Sequence, residues 1–315
     1  MLSRREWLSL TLATGAAAAL DRAWLSAQQP LIARAIPAGG ERIPIVGLGS
    51  SATFSQVARK DDVTAIGEVL KAMVSGGGTV FDTAPGYGAS EEVAGRVAAT
   101  LGYTDKIFWA TKVNVAGFGG GSANPTAARQ QIDQSFARLK KSKIDLIQVH
   151  NLGDVPTQLA ILKELKQQGR IRYIGVTTTF DQQYSQIVDI MKREPLDFIG
   201  VDYAIDAREV EDTIIPVAQE RKVGVMVYQP FGRTRLWDRV RGQALPDYAK
   251  EFDATSWAQF FIKFVASHPA VTVVTPATSQ AKNMADNLCG GRGRLPDAAM
   301  RKRMIATVDA LPAGR

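Results

Sequence analysis

The chain has 315 residues, 45% of them hydrophobic, with a formal charge of +7 and a single cysteine, Cys289. That apolar content suits one large folded domain or two small ones and excludes a disordered chain, while a lone cysteine excludes an internal disulfide or a thiolate metal cluster. The positive charge is spread along the chain, Arg292 and Arg294 aside, without the clustered cations and stacking aromatics of a nucleic-acid face, so no nucleic-acid partner is expected.

The first predicted element is an address. MLSRREWLSLTLATGAAAAL starts basic and continues with an apolar run, Leu8 to Leu20, that is too short to span a bilayer comfortably. Ser3, Arg4, Arg5, Trp7 and Leu8 resemble the twin-arginine export consensus, with Trp where Phe is usual and Ser9 where Lys is common. Residues 1–27 are therefore expected to be a signal peptide with a peptidase site at Leu25, Ser26 and Ala27, followed by a mature extension over residues 28–42. An uncleaved anchor is the alternative. The expected partner is the twin-arginine machinery, the destination periplasmic or otherwise exported, and no stable membrane span remains after processing. This route carries folded proteins, so a cofactor can be loaded before crossing.

From Ile43 onward, over residues 43–315, short apolar runs alternate with amphipathic stretches. IPIVGLGS precedes DDVTAIGEVLKAMVSGG, TVFDT precedes SEEVAGRVAATLG, and IFWATKV precedes TAARQQIDQSFARLKK. IDLIQVHN precedes VPTQLAILKELKQQG, IRYIGVTT precedes DQQYSQIVDIMKRE, and DFIGVDYA precedes EVEDTIIPVAQERK. VGVMVYQPF is followed by a long loop and SWAQFFIKFVASHP, then VTVVTP by QAKNMADNL. The strands are continuously apolar, as strands covered on both faces must be, and the helices carry one apolar stripe each. Eight such units predict a closed (β/α)8 TIM barrel rather than an open doubly wound sheet, and no glycine-rich dinucleotide fingerprint follows the first strand. PDAAMRKRMIATVDAL, residues 296–311, predicts an additional C-terminal helix.

In a barrel of this kind the chemistry sits where strands end. Strand two ends in Asp82 with Tyr87 in its loop, strand three in Lys112, and strand four in His150. Each alone has an ordinary explanation: a helix cap, a packed ring, a lysine reaching solvent, a core histidine. Together they suggest pairing, because burying an aspartate, a lysine and a histidine at one place is costly unless they neutralise one another. For Tyr87 to exchange a proton near neutral pH its pKa must fall, which takes about 4 kcal/mol of environmental bias that Lys112 would supply by favouring the phenolate; Asp82 would hold Lys112, and neutral His150 would orient a carbonyl oxygen. Such a site polarises C=O and protonates the developing alkoxide. It lacks a hydride, which implies a nicotinamide cofactor. Only His150 and His268 are present, and they are too few and too far apart for a metal-dependent hydrolase, so no metal is expected.

FDTAPGYGASEEVAG, ATKVN, IDLIQVHN, GRIRYIGV and VMVYQPFG resemble the aldo-keto reductase superfamily over about Ile43 to Leu288. The resemblance implies a (β/α)8 barrel, reduction of a small-molecule aldehyde or ketone, and catalytic roles for Asp82, Tyr87, Lys112 and His150, with Tyr87 as proton donor. It implies NADP(H), with NAD(H) as the alternative, held by Gly49, Ser50 and Asp82 near the first two strands, and by Thr177 and Thr178 after strand five. Tyr228 would stack on the nicotinamide, within a segment that includes Gln229, Phe231 and Gly232. At the adenosine end it implies Thr278, Ser279, Lys282, Asn283, Asp286 and Asn287.

Three departures accompany the resemblance. Thr177 and Thr178 replace the common Ser-Asn pair, Gly200 replaces a glutamine that Asp202 or water would have to substitute, and Asn283 replaces the arginine often set against the 2′-phosphate. An exported barrel that binds ligand with little turnover is the alternative of a different class. The pocket loops, residues 114–125 and 232–248, carry Phe118, Trp237, Arg233 and Arg235. Trp237 either walls an apolar pocket or pins its loop, and the arginines face either an anionic substrate or the cofactor pyrophosphate.

Overall fold

The computed structural model describes residues 29–117 and 120–312. The expected signal segment, residues 1–27, and Phe118 lie outside the described residues. An antiparallel hairpin comes first, β1 (Ala33–Ala35) paired with β2 (Arg42–Pro44). Eight parallel strands follow and pair in chain order: β3 (Leu48–Gly49), β4 (Val80–Asp82), β5 (Phe108–Val113), β6 (Ile144–Val149), β7 (Ile171–Thr178), β8 (Phe198–Asp202), β9 (Gly224–Tyr228) and β10 (Val271–Val274). Val274 N donates to Ile45 O at 2.8 Å, Gly47 N to Val274 O at 2.9 Å and Gly49 N to Pro276 O at 3.1 Å, which join the last strand to the first. The expected (β/α)8 barrel is therefore the observed architecture.

The helices form the outer layer. They are α1 (Thr53–Arg59) and α2 (Val63–Ser75) after β3, α3 (Ser90–Thr100), α4 (Pro125–Leu139), α5 (Val155–Gln167), α6 (Tyr184–Arg193), the short α7 (Val210–Thr213) and α8 (Ile215–Glu220), α9 (Arg235–Arg239) and α10 (Trp257–Ala266) after β9, α11 (Ala281–Cys289) and the additional α12 (Ala298–Asp309). Several starts are encoded locally: Asp62, Asn124, Asp154, Ser256 and Asp297 each accept from a backbone N–H of the first turn, and Pro125 occupies a position where no N–H is needed.

One boundary differs from the sequence expectation. Ile43 and Pro44 pair with β1 instead of opening the barrel, so the first barrel strand is confined to Leu48–Gly49 plus a bridge at Val46. Ile36 and Ile43, 0% and 2% exposed, plug the barrel floor against Val80, Phe108, Leu146, Tyr173 and Phe198. Gly47 permits the close turn into β3, since a Cβ there would lie 2.7 Å from Val80 O.

Inside the barrel, side chains alternate with a period of two. Val80, Ala110, Leu146 and Met226 belong to the inner apolar cluster. Two residues further along the same strands come Asp82, Lys112, Gln148 and Tyr228. The top of the apolar core thus passes directly into a polar layer.

Candidate active site

Asp82 ends β4 and pairs in register with Ala110 of β5, so Lys112, two residues on, starts one layer higher and its stem reaches back to the carboxylate. Lys112 Nζ donates to Asp82 Oδ1 at 2.9 Å, to Oδ2 at 2.8 Å and to the Thr83 carbonyl at 2.8 Å. The two residues are 1% and 3% exposed. Burial lowers the Lys112 pKa, but the charges of Asp82 and Tyr87, with their hydrogen bonds, outweigh it and raise it above the ordinary value. On Asp82 burial acts upward and the neighbouring ammonium pulls back only in part. These directions oppose each other, and the geometry decides for an ion pair: one Nζ with both carboxylate oxygens and a carbonyl around it is an ammonium with its three donors satisfied.

The Tyr87 ring lies on one side of that ammonium, its centroid 5.0 Å from Nζ, and meets the His150 ring edge-on at 5.7 Å. Burial pushes the Tyr87 phenol above its ordinary pKa, with Lys112 pulling it down and Asp82 pushing it up. Lys112 pulls the phenol down as expected, but the net shift is upward, which corrects the expected net lowering. The ammonium is already compensated by Asp82, which leaves burial as the larger effect. Burial and the Lys112 charge together drive the His150 imidazole down to about 3, so it is neutral at pH 7.

The turn after His150 is strained and tied down. Asn151, Leu152 and Asp154 have φ of 53°, 52° and 38°, a left-handed region that costs non-glycine residues roughly 1 kcal/mol or more each. Asn114 Nδ2 donates to His150 O at 2.9 Å, Asn151 N donates to Thr177 Oγ1 at 3.2 Å, and Gln183 Nε2 donates to Asn151 O at 3.3 Å. Thr177 therefore anchors the His150 turn. Thr178 donates to Gln183 Oε1 at 2.5 Å and accepts from Phe180 N at 3.1 Å. Gly49 and Ser50 lie beside Asp82, whose carbonyl accepts from Ser50 N at 2.9 Å. The Ser50 hydroxyl is fully buried with no protein partner among the described residues. Asp202, named with water as the substitute for a side chain at Gly200, accepts from the Tyr184 hydroxyl through Oδ1 at 3.0 Å.

A second region lies beside the mouth. A pocket of about 460 Å³ is lined by Thr278, Ser279, Asn283, Asp286 and Asn287, with Phe231, Trp237 and Trp257 as an aromatic wall. Trp237 packs 4.8 Å from Phe231 and 5.9 Å from Phe261, so it walls this pocket. Asp286 is held by Ser256 at 2.7 Å and Gln259 at 2.6 Å, while the buried Asn287 Nδ2 has no protein partner among the described residues. Lys282 is exposed in the first turn of α11 and does not line the pocket. Gln229 and Gly232 turn the chain out of β9 with φ of 54° and 57°. Arg235 is paired with Asp206 at 3.1 Å, and Arg233 is exposed.

The pattern of the Aldo/keto reductase family matches residues 45–302. The chain belongs to the aldo/keto reductase family. The chain is 30% identical to aldo-keto reductase YhdN of Bacillus subtilis (strain 168) over 217 residues, which are 66% of this chain and 63% of that relative, somewhat less than two thirds of its length. It is 25% identical to probable aldo-keto reductase 1 of Glycine max over 287 residues, 78% of this chain and 79% of that one. Among solved structures, the aldo-keto reductase of Klebsiella pneumoniae in complex with NADPH superposes with a TM-score of 0.70 at 22% identity, covering 89% of this chain and 95% of that one.

Asp82, Tyr87, Lys112 and His150, expected from three separate motifs, are thus brought together in the fold. Sequence reasoning passed over Gln148, whose Nε2 donates to the Tyr228 hydroxyl at 3.0 Å, and Asn114 behind His150. Strand parity was the available signal for Gln148, since it follows buried Leu146 by two and is the register partner of Lys112. Trp257 carried none, because at the start of α10 it reads as an ordinary helix residue.

Proposed function

We propose that this chain is an NADP-preferring oxidoreductase that reduces an aldehyde or ketone to an alcohol, with Tyr87 as the proton donor and NAD(H) as the alternative cofactor. The observation that carries the reading is the buried Asp82–Lys112 pair beneath Tyr87, with neutral His150 at its edge. Neutral His150 donates an N–H to the carbonyl oxygen and orients it. The Tyr87 phenol passes its proton to that oxygen as the C=O becomes an alkoxide, and the Lys112 ammonium stabilises the phenolate left behind. Asp82 holds Lys112 and keeps it charged. When bound, a reduced nicotinamide supplies the hydride, which no side chain can.

The residues fit a dinucleotide. Asn287 Nδ2 and Ser50 Oγ are buried without protein partners among the described residues, at the far pocket and beside Asp82 respectively. The aromatic wall of Phe231, Trp237 and Trp257 suits a flat base. Lys282, with the start of α11 and Ser279, is the candidate contact for a 2′-phosphate, and the NADPH held by the Klebsiella pneumoniae relative supports NADP(H) over NAD(H). The test is fluorescence titration of the purified protein with NADPH and NADH, followed by turnover over a panel of aldehydes and ketones. Tighter NADPH binding and consumption dependent on a carbonyl compound support the reading. Failure to bind either nucleotide overturns it.

The same proposal includes export. Its support is the twin-arginine-like run Ser3, Arg4, Arg5, Trp7, Leu8 ahead of a short apolar stretch. An Arg4→Lys/Arg5→Lys variant should be retained inside the cell, and unchanged export of that variant would exclude this route. Because nicotinamide pools are cytoplasmic, the exported protein should carry nucleotide with it, detectable by mass spectrometry of the native preparation.

A further inference from the structure

Tyr228 is the last residue of β9, and the period of two that buries Met226 turns its ring into the barrel. There it lies across the neighbouring strand at Gly200. A Cβ at position 200 would sit 2.5 Å from both Cε2 and the hydroxyl of Tyr228, and 2.7 Å from Cζ. Any side chain on β8 at this point would exclude the ring, so the bare glycine and the inward tyrosine depend on each other. The missing side chain at Gly200 is replaced by a phenol arriving from the adjacent strand.

The hydroxyl is engaged on two sides. Gln148 Nε2 donates to it at 3.0 Å, and it donates to Asp82 Oδ1 at 3.4 Å. Its ring centroid is 5.1 Å from Lys112 Nζ, against 5.0 Å for Tyr87, so the ammonium faces two phenol rings at nearly equal distance. The two are not equivalent, because only Tyr87 meets His150. Burial, Asp82 and Tyr87 raise the Tyr228 pKa well above its ordinary value, so this phenol keeps its proton. With Gln148 donating to its oxygen, the proton it keeps is directed at Asp82.

We propose that Tyr228 is a positioning residue: admitted into the barrel by Gly200 and oriented by Gln148, its hydroxyl holds Asp82 Oδ1 and thereby fixes the ion pair that tunes Tyr87. The proposal rests on the reading of Asp82, Lys112 and Tyr87 as catalytic machinery, and it is separate from stacking of the Tyr228 ring on a cofactor. Tyr228→Phe distinguishes the two, because it keeps the ring and removes the hydroxyl.

Two measurements test it. In urea denaturation, Tyr228→Phe, Asp82→Asn and the double variant form a cycle, and the double variant should lose less stability than the sum of the singles. In steady-state kinetics with NADPH and a carbonyl substrate, Tyr228→Phe should lower kcat about tenfold, the scale of one hydrogen bond to a charged group. It should also displace the alkaline limb of the pH profile while leaving NADPH affinity within about twofold. Gly200→Ala, which forces the ring out, should displace the limb in the same direction and add little on top of Tyr228→Phe. Additive stabilities in the cycle, or an unshifted pH profile with only nucleotide affinity changed, overturn the proposal. If Tyr87→Phe is as active as the unmodified protein, the catalytic reading itself has failed. If Tyr87→Phe is inactive and Tyr228→Phe retains the normal profile, only the positioning role of Tyr228 has failed.

Discussion

Replacing Lys112 with methionine keeps an unbranched stem in the polar layer at the barrel mouth and deletes the charge. Asp82, 3% exposed, then loses both contacts from Nζ and keeps only the 3.4 Å contact with Tyr228. Removing one member of a buried ion pair costs about 3–5 kcal/mol, because the other charge stays buried without its partner. Against a typical total of about 5–15 kcal/mol, that is a large fraction, yet it leaves a folded protein in most of the range. The pH dependence has a definite sign. With Lys112 gone, burial holds the folded Asp82 pKa above its unfolded value, so the folded state binds the proton more tightly; stability is favoured below the unfolded value and is lost as pH rises through the folded one. The methionine variant should therefore be more stable at about pH 5 than at pH 7 relative to the unmodified protein, whose Lys112, with its raised pKa, loses its contribution only in the alkaline range. Urea denaturation followed by tryptophan fluorescence measures this. A double variant, Asp82→Leu with Lys112→Met, should regain most of the lost stability while remaining inactive, since apolar groups of similar size replace a buried pair at little cost. A single variant as stable as the unmodified protein at pH 7, or a double variant weaker than both singles, would refute the reasoning.

Three further outcomes are expected. The folded His150 pKa of about 3 lies below its unfolded value of 6.5, so on acidification the unfolded chain takes up its proton first and stability falls between those two pH values, by at most about 1.4 kcal/mol per pH unit; His150→Gln should flatten that part of the stability curve, and kcat/KM should show no histidine limb near neutrality. Asn114→Ala frees the His150 carbonyl and loosens a turn holding three left-handed residues, so kcat should fall about tenfold with the nucleotide KM unchanged, given the scale of one hydrogen bond. Lys282→Ala should raise the KM for NADPH several-fold, roughly the effect of one exposed phosphate contact, and leave that for NADH unchanged, which parallel steady-state assays would show.

The barrel was legible because parallel strands buried on both faces must be continuously apolar, and runs such as IDLIQV and IGVTT have no other economical place to fold. The start of the first strand was not, because Ile43 is as apolar as Ile45 and only the pairing partner, β1, separates the floor from the wall. The meeting of Asp82 with Lys112 could be inferred from strand ends alone, since a buried charge needs a partner. The direction of the Tyr87 pKa could not, because it depends on how completely Asp82 neutralises the ammonium beside it. The surroundings of Gln148 and Tyr228 were hidden for a related reason. Strand parity places both on the inner face, but what each meets there is decided by a neighbouring strand, Lys112 across the register for one and the absent side chain of Gly200 for the other.

The central claim is that the phenol above the Asp82–Lys112 pair gives its proton to a carbonyl oxygen. Single-turnover oxidation of bound NADPH on mixing with an aldehyde or ketone that the protein turns over, followed by nucleotide absorbance for the unmodified protein and for Tyr87→Phe, tests it most directly. The account predicts that Tyr87→Phe binds NADPH with unchanged affinity and reacts roughly 10²–10⁴-fold more slowly, the range of a lost general acid. Equal single-turnover rates for the two proteins would contradict it.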